Sequence, residues 1–367
     1  MVLFSILVME IMKPKYFPAL SGLRVILASM VFIYHFFNFE SHHLSFAQIA
    51  VVLRYRMTAF FVLSGFVVMY SLIPKQRLSF KEYVRFILTR LIRLLPLYIL
   101  LLGVPYLQVG LPAIPVFITN ITLTKGFFKE LFFSGIGPAW SLTPEITFYF
   151  LAPLILNYLP NTKQFLLSYG VVILTGILLT VIGDYLIQLN YNPYGFFADI
   201  YFTLDVTFFG RATDFYVGMF LAWIIYHYSD KEMPRWLLEK KTHTGILMVI
   251  LVSYLVYYFN NLSIPSGPVL ALICLHLFLP FAVGYFLLGL ITEESNLSSF
   301  LSLKWMVILG NGAYGFYLMH TSWVQYKISK INILPDGGFF LLWLVAIIVY
   351  YIFEKPSIMF LRKKLSV

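Results

Sequence analysis

The chain is 367 residues long, with 11% charged and 60% apolar residues and a net charge of +10. Soluble domains carry about a quarter charged and just under half apolar residues, so a single aqueous core is excluded and lipid is the solvent that fits. The positive charge is gathered in a few loops, which argues for insertion topology rather than nucleic-acid binding. The single cysteine, Cys274, excludes an intrachain disulfide and any thiolate metal cluster.

Read in chain order, residues 1–16 form a short leader. Its apolar start, Met1–Met9, lacks the basic region and small-residue cleavage site of a signal peptide. Apolar runs long enough to span a bilayer follow at 20–39, 50–73, 85–108, 142–159 and 165–188. Five more lie at 204–228, 244–260, 268–291, 305–325 and 335–354. The expectation is an all-α, polytopic integral membrane protein of about ten transmembrane helices, followed by a basic tail at 357–367. The longest connection, 109–141, holds Pro112, Pro115, Gly135, Gly137 and Pro138 and reads as an irregular or re-entrant segment. Counted from a cytoplasmic N-terminus, the inner segments hold most of the Lys and Arg residues, from Lys13 and Lys15 through Lys75, Arg77, Lys81 and Arg85 to Arg362–Lys364. The outer segments offer only Arg54, Arg56, Lys125, Lys129, Lys327 and Lys330, so both termini are expected in the cytoplasm.

Ionisable residues inside the spans carry the chemistry, because an Arg at the centre of a membrane helix costs roughly 2.5–3.5 kcal/mol on insertion scales. The first helix carries Arg24 and His35 on one face, about 16 Å apart along the axis. The third carries Arg90 and Arg93, one turn apart near its cytoplasmic end. Snorkelling to headgroups is the plain alternative for these arginines. Glu145 opens the fourth helix and is expected at the depth of His35, where the two could form a general base with its carboxylate partner or a structural pair. Arg211 and Asp214 stand three apart on the sixth helix, by default as an ion pair, and His320 near the outer end of the ninth caps that helix or lines the same cavity. His276 reads as a core residue, and neither His42/His43 nor His227/His243 has the spacing or company of a zinc site, so no metal is expected. An inner layer of arginines suits a phosphate-bearing ligand, and an outer polar layer suits deprotonation of an acceptor hydroxyl. Cross-membrane group transfer and anion transport both satisfy that arrangement.

At these residues the sequence resembles the acyltransferase 3 family, membrane-bound O-acyltransferases of the O-antigen and peptidoglycan O-acetylase type. Ser21-Gly22-Leu23-Arg24 with Tyr34-His35 is similar to its first-helix Asp-Gly-Leu-Arg…Tyr-His, and Phe60-Phe61-Val62-Leu63-Ser64-Gly65-Phe66 to its second-helix signature. Arg90-Leu91-Ile92-Arg93 resembles its Arg-x-x-Arg, and Trp140-Ser141-Leu142…Glu145…Phe148-Tyr149 its Trp-Ser-Leu…Glu…Phe-Tyr element. Arg211…Asp214-Phe215…Gly218, Gly310…Ala313-Tyr314…Tyr317-Leu318-Met319-His320 and Glu354-Lys355-Pro356 complete the set, in order over residues 17–356. Ser21 stands where the family usually has Asp, Asp214 where Glu is common, and Thr58 at a position often acidic. The resemblance implies a stand-alone, multi-pass enzyme of the inner membrane. It would transfer an acetyl or close acyl group from acyl-CoA to a carbohydrate hydroxyl, with no metal. It also implies His35 as base, Glu145 as its partner or acceptor anchor, and Arg24, Arg90 and Arg93 as holders of the CoA donor. Trp140, Ser141, Arg211, Asp214 and His320 would face the acceptor. Whether His35 deprotonates the acceptor or first takes the acyl group itself stays open. The expected partners are acyl-CoA, a glycan or lipid-linked sugar, and membrane lipids, and no nucleic acid. The rival class is a transporter or flippase of an anionic substrate, which would often show internal repeats; none is visible.

Overall fold

A computed structural model describes residues 16–36, 56–228, 241–264, 266–331 and 338–365. Lys13, Lys15, His42, His43 and Arg54 lie outside the described residues. The regular elements in chain order are α1 (Pro18–Phe36), α2 (Arg56–Leu72), α3 (Phe80–Val109), α4 (Ile114–Ile121), α5 (Leu142–Leu156) and α6 (Thr162–Gln188). Then come α7 (Ile200–Val206), α8 (Ala212–Tyr228), α9 (Lys241–Asn260), α10 (Gly267–Ile273), α11 (Leu279–Thr292), α12 (Asn296–Leu301) and α13 (Lys304–Met319). The last three are α14 (Trp323–Ser329), α15 (Phe339–Val349) and α16 (Lys355–Leu365). Among the described residues the only β pairing is an isolated bridge between Phe128 and Phe196. The fold is all-helical.

Among the described residues, eight helical runs are long and apolar enough to cross a membrane. α8 and α13, apolar but only 17 and 16 residues long, fall just short of that length. α8 is shorter than its hydropathy run because residues 207–211 form a turn before the helix begins. α13 stops at Met319, and a separate short helix, α14, follows. π-type turns at Cys274–Phe278 and Tyr350–Glu354 join α10 to α11 and α15 to α16, each into one continuous run. The basic residues at 362–364 therefore ride on a helix that continues from the last span.

α3 keeps both Pro96 and Pro105 inside a single helix of 30 residues, which at 1.5 Å per residue is about 45 Å long. It exceeds the roughly 30 Å hydrocarbon core, so it must tilt or project beyond it. Its start is fixed by a capping box in which Ser79 Oγ accepts from Glu82 N and Glu82 Oε2 accepts from Ser79 N at 2.9 Å.

Helices in lipid gain little from apolar burial against one another and rely on close backbone approach. α2 and α8 cross at Gly65 and Gly218: a Cβ on Gly65 would lie 2.3 Å from Phe215 O, and one on Gly218 2.1 Å from Val62 O. α1 and α13 repeat the device at Gly310, where a Cβ would lie 2.3 Å from Ser21 O. These two crossings bring α1, α2, α8 and α13 together as the inner bundle, and α5 packs onto α2 beside them.

The connection 109–141 is irregular, as expected, yet firmly held. Lys125 is fully buried, and its Nζ donates to Ser134 O and Ile136 O, both at 2.6 Å. Burial pushes its ammonium down from the usual 10.5 to about 7. Asn120, also fully buried, accepts from Tyr98 on α3 through its backbone carbonyl at 3.0 Å and donates to Ser134 Oγ at 2.8 Å. The connection ends in a tight helical turn, Gly137–Ser141, that leads directly into α5.

Candidate active site

α2 acts as the ruler of the site, because one of its faces touches ionisable groups at three heights. At its first residue, Arg56 Nη2 donates to His35 Nε2 at 3.4 Å. Two turns on, Ser64 Oγ donates to Glu145 Oε1 at 3.2 Å. Two turns further, Ser71 Oγ accepts from Arg90 Nη2 at 3.1 Å. Eight residues separate the first two contacts, so the levels of His35 and Glu145 differ by about 12 Å.

The middle level is a chamber of about 130 Å³ walled by α1, α2, α3, α5 and α13. Arg24, Arg90, Arg93, Ser141 and Glu145, all named from the sequence, line it together with Ser64, Tyr149, Tyr314 and Tyr317. Three guanidiniums against one carboxylate leave a formal charge of +2 on its walls. Just outside them, buried Glu354 on the second π turn attracts Arg93, and Arg362 repels Arg90. Tyr149, one turn along α5, donates to Glu145 Oε1 at 2.5 Å, and Arg90 lies 5.7 Å from the Tyr149 ring centroid. Neither Arg24 nor Arg93 makes a hydrogen bond among the described residues. A guanidinium has five donors and no acceptor, so two such groups facing one cavity are an anion-binding arrangement.

Glu145 thus stands with the arginines, and no hydrogen bond joins it to His35 among the described residues. The helical turn at Gly137–Ser141 explains its depth, since it carries the chain inward before α5 starts. Glu145 is eight residues from the beginning of that 20-residue run and not at its mouth.

His35 pairs with His320 instead. His35 Nδ1 and His320 Nε2 are 2.9 Å apart, the rings lie within 3° of parallel, and His320 Nδ1 is 2.5 Å from Tyr317 O. The proton positions follow from the two ends of this chain. Arg56 can only donate, so His35 Nε2 must accept, which puts the His35 proton on Nδ1. The Tyr317 carbonyl can only accept, so His320 carries its proton on Nδ1 and accepts on Nε2. Both ends give the same assignment, and the basic lone pair is on Nε2 of exposed His35, beside the Arg56 guanidinium. His320 is fully buried. Arg56 is itself buried and lies 4.4 Å over the Tyr34 ring.

Tyr317 connects the two levels. It lines the chamber, its ring centroid is 5.7 Å from that of His320, and its hydroxyl is 2.8 Å from both Ser141 Oγ and Pro138 O. Trp140, half-buried, precedes this contact. Arg211 and Asp214 do not line the chamber. They form a buried ion pair at 3.6 Å, with the Arg211 guanidinium 5.8 Å from the Phe61 ring, in an aromatic cluster with Phe148, Phe208 and Phe215. His276 faces Asp205 at 3.3 Å on the first π turn, also away from the chamber. No group of three or more His, Cys, Asp or Glu residues suited to a metal is present among the described residues.

Sequence reasoning passed over Arg56, Ser64, Tyr149 and Tyr317. Ser64, Tyr149 and Tyr317 sit inside the motifs quoted above, where their presence was a signal without a role. Arg56 lies inside the apolar run 50–73 and, by the cost of an Arg in a span, asked for a reason.

The model of the family described as Acyltransferase domain, acyltransferase 3, matches residues 17–354. No curated protein and no solved structure matches the chain. With a match over nearly its whole length and multiple apolar spanning helices, the chain belongs to the acyltransferase 3 family of membrane acyltransferases.

Proposed function

We propose that this protein moves an acyl group, in the first instance acetyl, from cytoplasmic acyl-CoA to a hydroxyl of a carbohydrate on the far side of the inner membrane. Ten spans with both termini in the cytoplasm are part of the same proposal. The observation that carries it is the pairing of a chamber lined by three guanidiniums with a histidine base, about 12 Å apart along α2. Arg24, Arg90 and Arg93 hold the phosphate-bearing donor, and Glu145, fixed by Ser64 and Tyr149, keeps the guanidiniums in place. The acceptor hydroxyl displaces the Arg56 contact from the single lone pair of His35 Nε2 and gives its proton there, while its oxygen attacks the thioester carbonyl. The carbon–sulfur bond breaks, and the departing thiolate takes the proton. A thioester is already activated, so oriented binding and one positioned base account for the chemistry.

Purified protein in vesicles, supplied with radiolabelled acetyl-CoA on one side and a glycan acceptor on the other, tests the proposal. Covalent label on the acceptor supports it. Passage of an unmodified anion with no covalent label would establish the transporter reading instead.

A further inference from the structure

A second cavity, of about 570 Å³, opens where the ends of α2, α5 and α8 meet. Among the described residues its walls include Lys75, Arg77, Asn157, Trp223, Tyr226 and His227, and no carboxylate. Glu82, which caps α3, attracts Lys75 from outside those walls. Lys75, Arg77 and His227 are exposed. The His227 ring lies 4.8 Å from that of Trp223 and 5.4 Å from that of Tyr226, so cations and aromatic rings border one space.

The cavity continues the faces that line the chamber. On α2 the stripe Met57, Phe60, Ser64, Val67 and Val68 belongs to the chamber, Ser71 follows with its bond to Arg90, and Pro74 and Lys75, in the tight helical turn that continues α2, reach the second cavity. On α5 the stripe Leu142, Glu145 and Tyr149 belongs to the chamber, and Leu156 and Asn157 to the second cavity, with Ala152 between. Ten steps from Ser64 to Pro74 and eleven from Glu145 to Leu156 give about 15 Å and 16 Å, so two helices agree on the separation. Size divides the labour. Sites for drug-sized ligands occupy about 300–1,000 Å³, a range that the chamber misses and the second cavity meets.

The geometry points to a split donor site, in which this cavity takes the nucleotide end of coenzyme A, its base against Trp223 or Tyr226 and its ribose phosphate on Lys75 and Arg77, while the phosphate joined to the pantetheine arm goes to the chamber arginines. The pantetheine arm runs past Ser71 and Arg90 into the chamber. The assignment rests on the acyl-CoA reading of the chamber and adds a binding site to it. Aromatic faces stack any base, and exposed cations supply phosphate contacts without orienting the thioester.

The experiment compares acetyl-CoA with acetyl-phosphopantetheine, the same arm without its nucleotide, on wild type and on Lys75→Ala/Arg77→Ala. The double variant is expected to raise KM for acetyl-CoA about tenfold or more, with kcat unchanged and KM for the short donor unchanged. Direct binding of adenosine bisphosphate, the nucleotide fragment alone, should weaken in the double variant and in Trp223→Leu. An unchanged KM for acetyl-CoA, or an equal rise for both donors, overturns the assignment while leaving the acyl-CoA reading intact. The same measurement in vesicles of phosphatidylcholine alone separates nucleotide phosphate from lipid headgroup: persistence of the effect supports the nucleotide, and its restriction to anionic vesicles overturns it. A wild type that turns over neither donor overturns both readings together.

Discussion

His320→Ala tests the proton assignment most directly. In the wild type His320 Nε2 accepts the Nδ1 proton of His35 at 2.9 Å, which keeps the lone pair on the outer nitrogen. Without that acceptor, His35 has two choices. It can keep the Nδ1 proton unpaired, or it can move it to Nε2, where it opposes Arg56 and leaves no base for the acceptor hydroxyl. Losing one hydrogen bond at an exposed group costs about 0.5–1.5 kcal/mol, which corresponds to a loss of roughly 2- to 13-fold in kcat. His35→Ala, by comparison, should lose about 10²–10⁴-fold. His320→Gln restores an acceptor oxygen and should recover part of the loss. The assay is steady-state acyl transfer with separate kcat and donor KM. His320→Ala should lower kcat and leave donor KM alone, and adding it to His35→Ala should cost nothing more, because the two act as one unit. A His320→Ala enzyme with full kcat, or a double variant well below His35→Ala, refutes the relay.

Arg93→Ala should raise KM for acyl-CoA more than it lowers kcat, since contacts to donor phosphates are made equally in the ground and transition states; steady-state kinetics at varied donor checks this. Gly218→Val places a Cβ 2.1 Å from Val62 O on a backbone that cannot yield, so the variant should be lost to degradation or aggregation, read by its yield of monodisperse protein in detergent. Lys125 holds its proton less tightly in the fold, at about 7, than in the unfolded chain, at about 10.5. The unfolded state therefore binds more protons between those values, and thermal stability should rise with pH from about 7 to about 10 and be flat below. Lys125→Met should remove that slope and destabilise the protein by about 1–3 kcal/mol, because Ser134 O and Ile136 O lose their buried donor.

Much of the chamber was legible because membranes make arginine conspicuous. Arg24, Arg90 and Arg93 stood out as charges within apolar runs, and helical spacing alone placed Arg90 and Arg93 on one face. The level of Glu145 was not legible, because hydropathy cannot tell a chain that starts its helix at the surface from one that first descends through a turn such as Gly137–Ser141. The partner of His35 was hidden for a different reason. His320 lies 285 residues away, and only the crossing of α1 with α13 at Gly310 brings the two rings together. Arg56 opens α2, where composition alone cannot separate a loop charge from a site. Arg211 and Asp214 show the converse: spacing gave the ion pair, but not that Phe61 and its aromatic neighbours would separate it from the chamber.

The crossing at Gly65 and Gly218 also bears on motion. Where two helices meet backbone to backbone, no side-chain rotamer can change to let one slide along the other, so α2 and α8 behave as a single stiff strut. The wall on the far side of the chamber is built differently. α3 carries Pro96 and Pro105, and α5 carries Pro153, each removing an intrahelical hydrogen bond and leaving a point where the helix can bend. Compliance is thus confined to the side that bears Arg90, Arg93 and Glu145, while the strut that bears Arg56 and Ser64 stays fixed. On the proposed reading, admission of a donor would displace Arg90 and Arg93 and leave Arg56 and Ser64 where they stand.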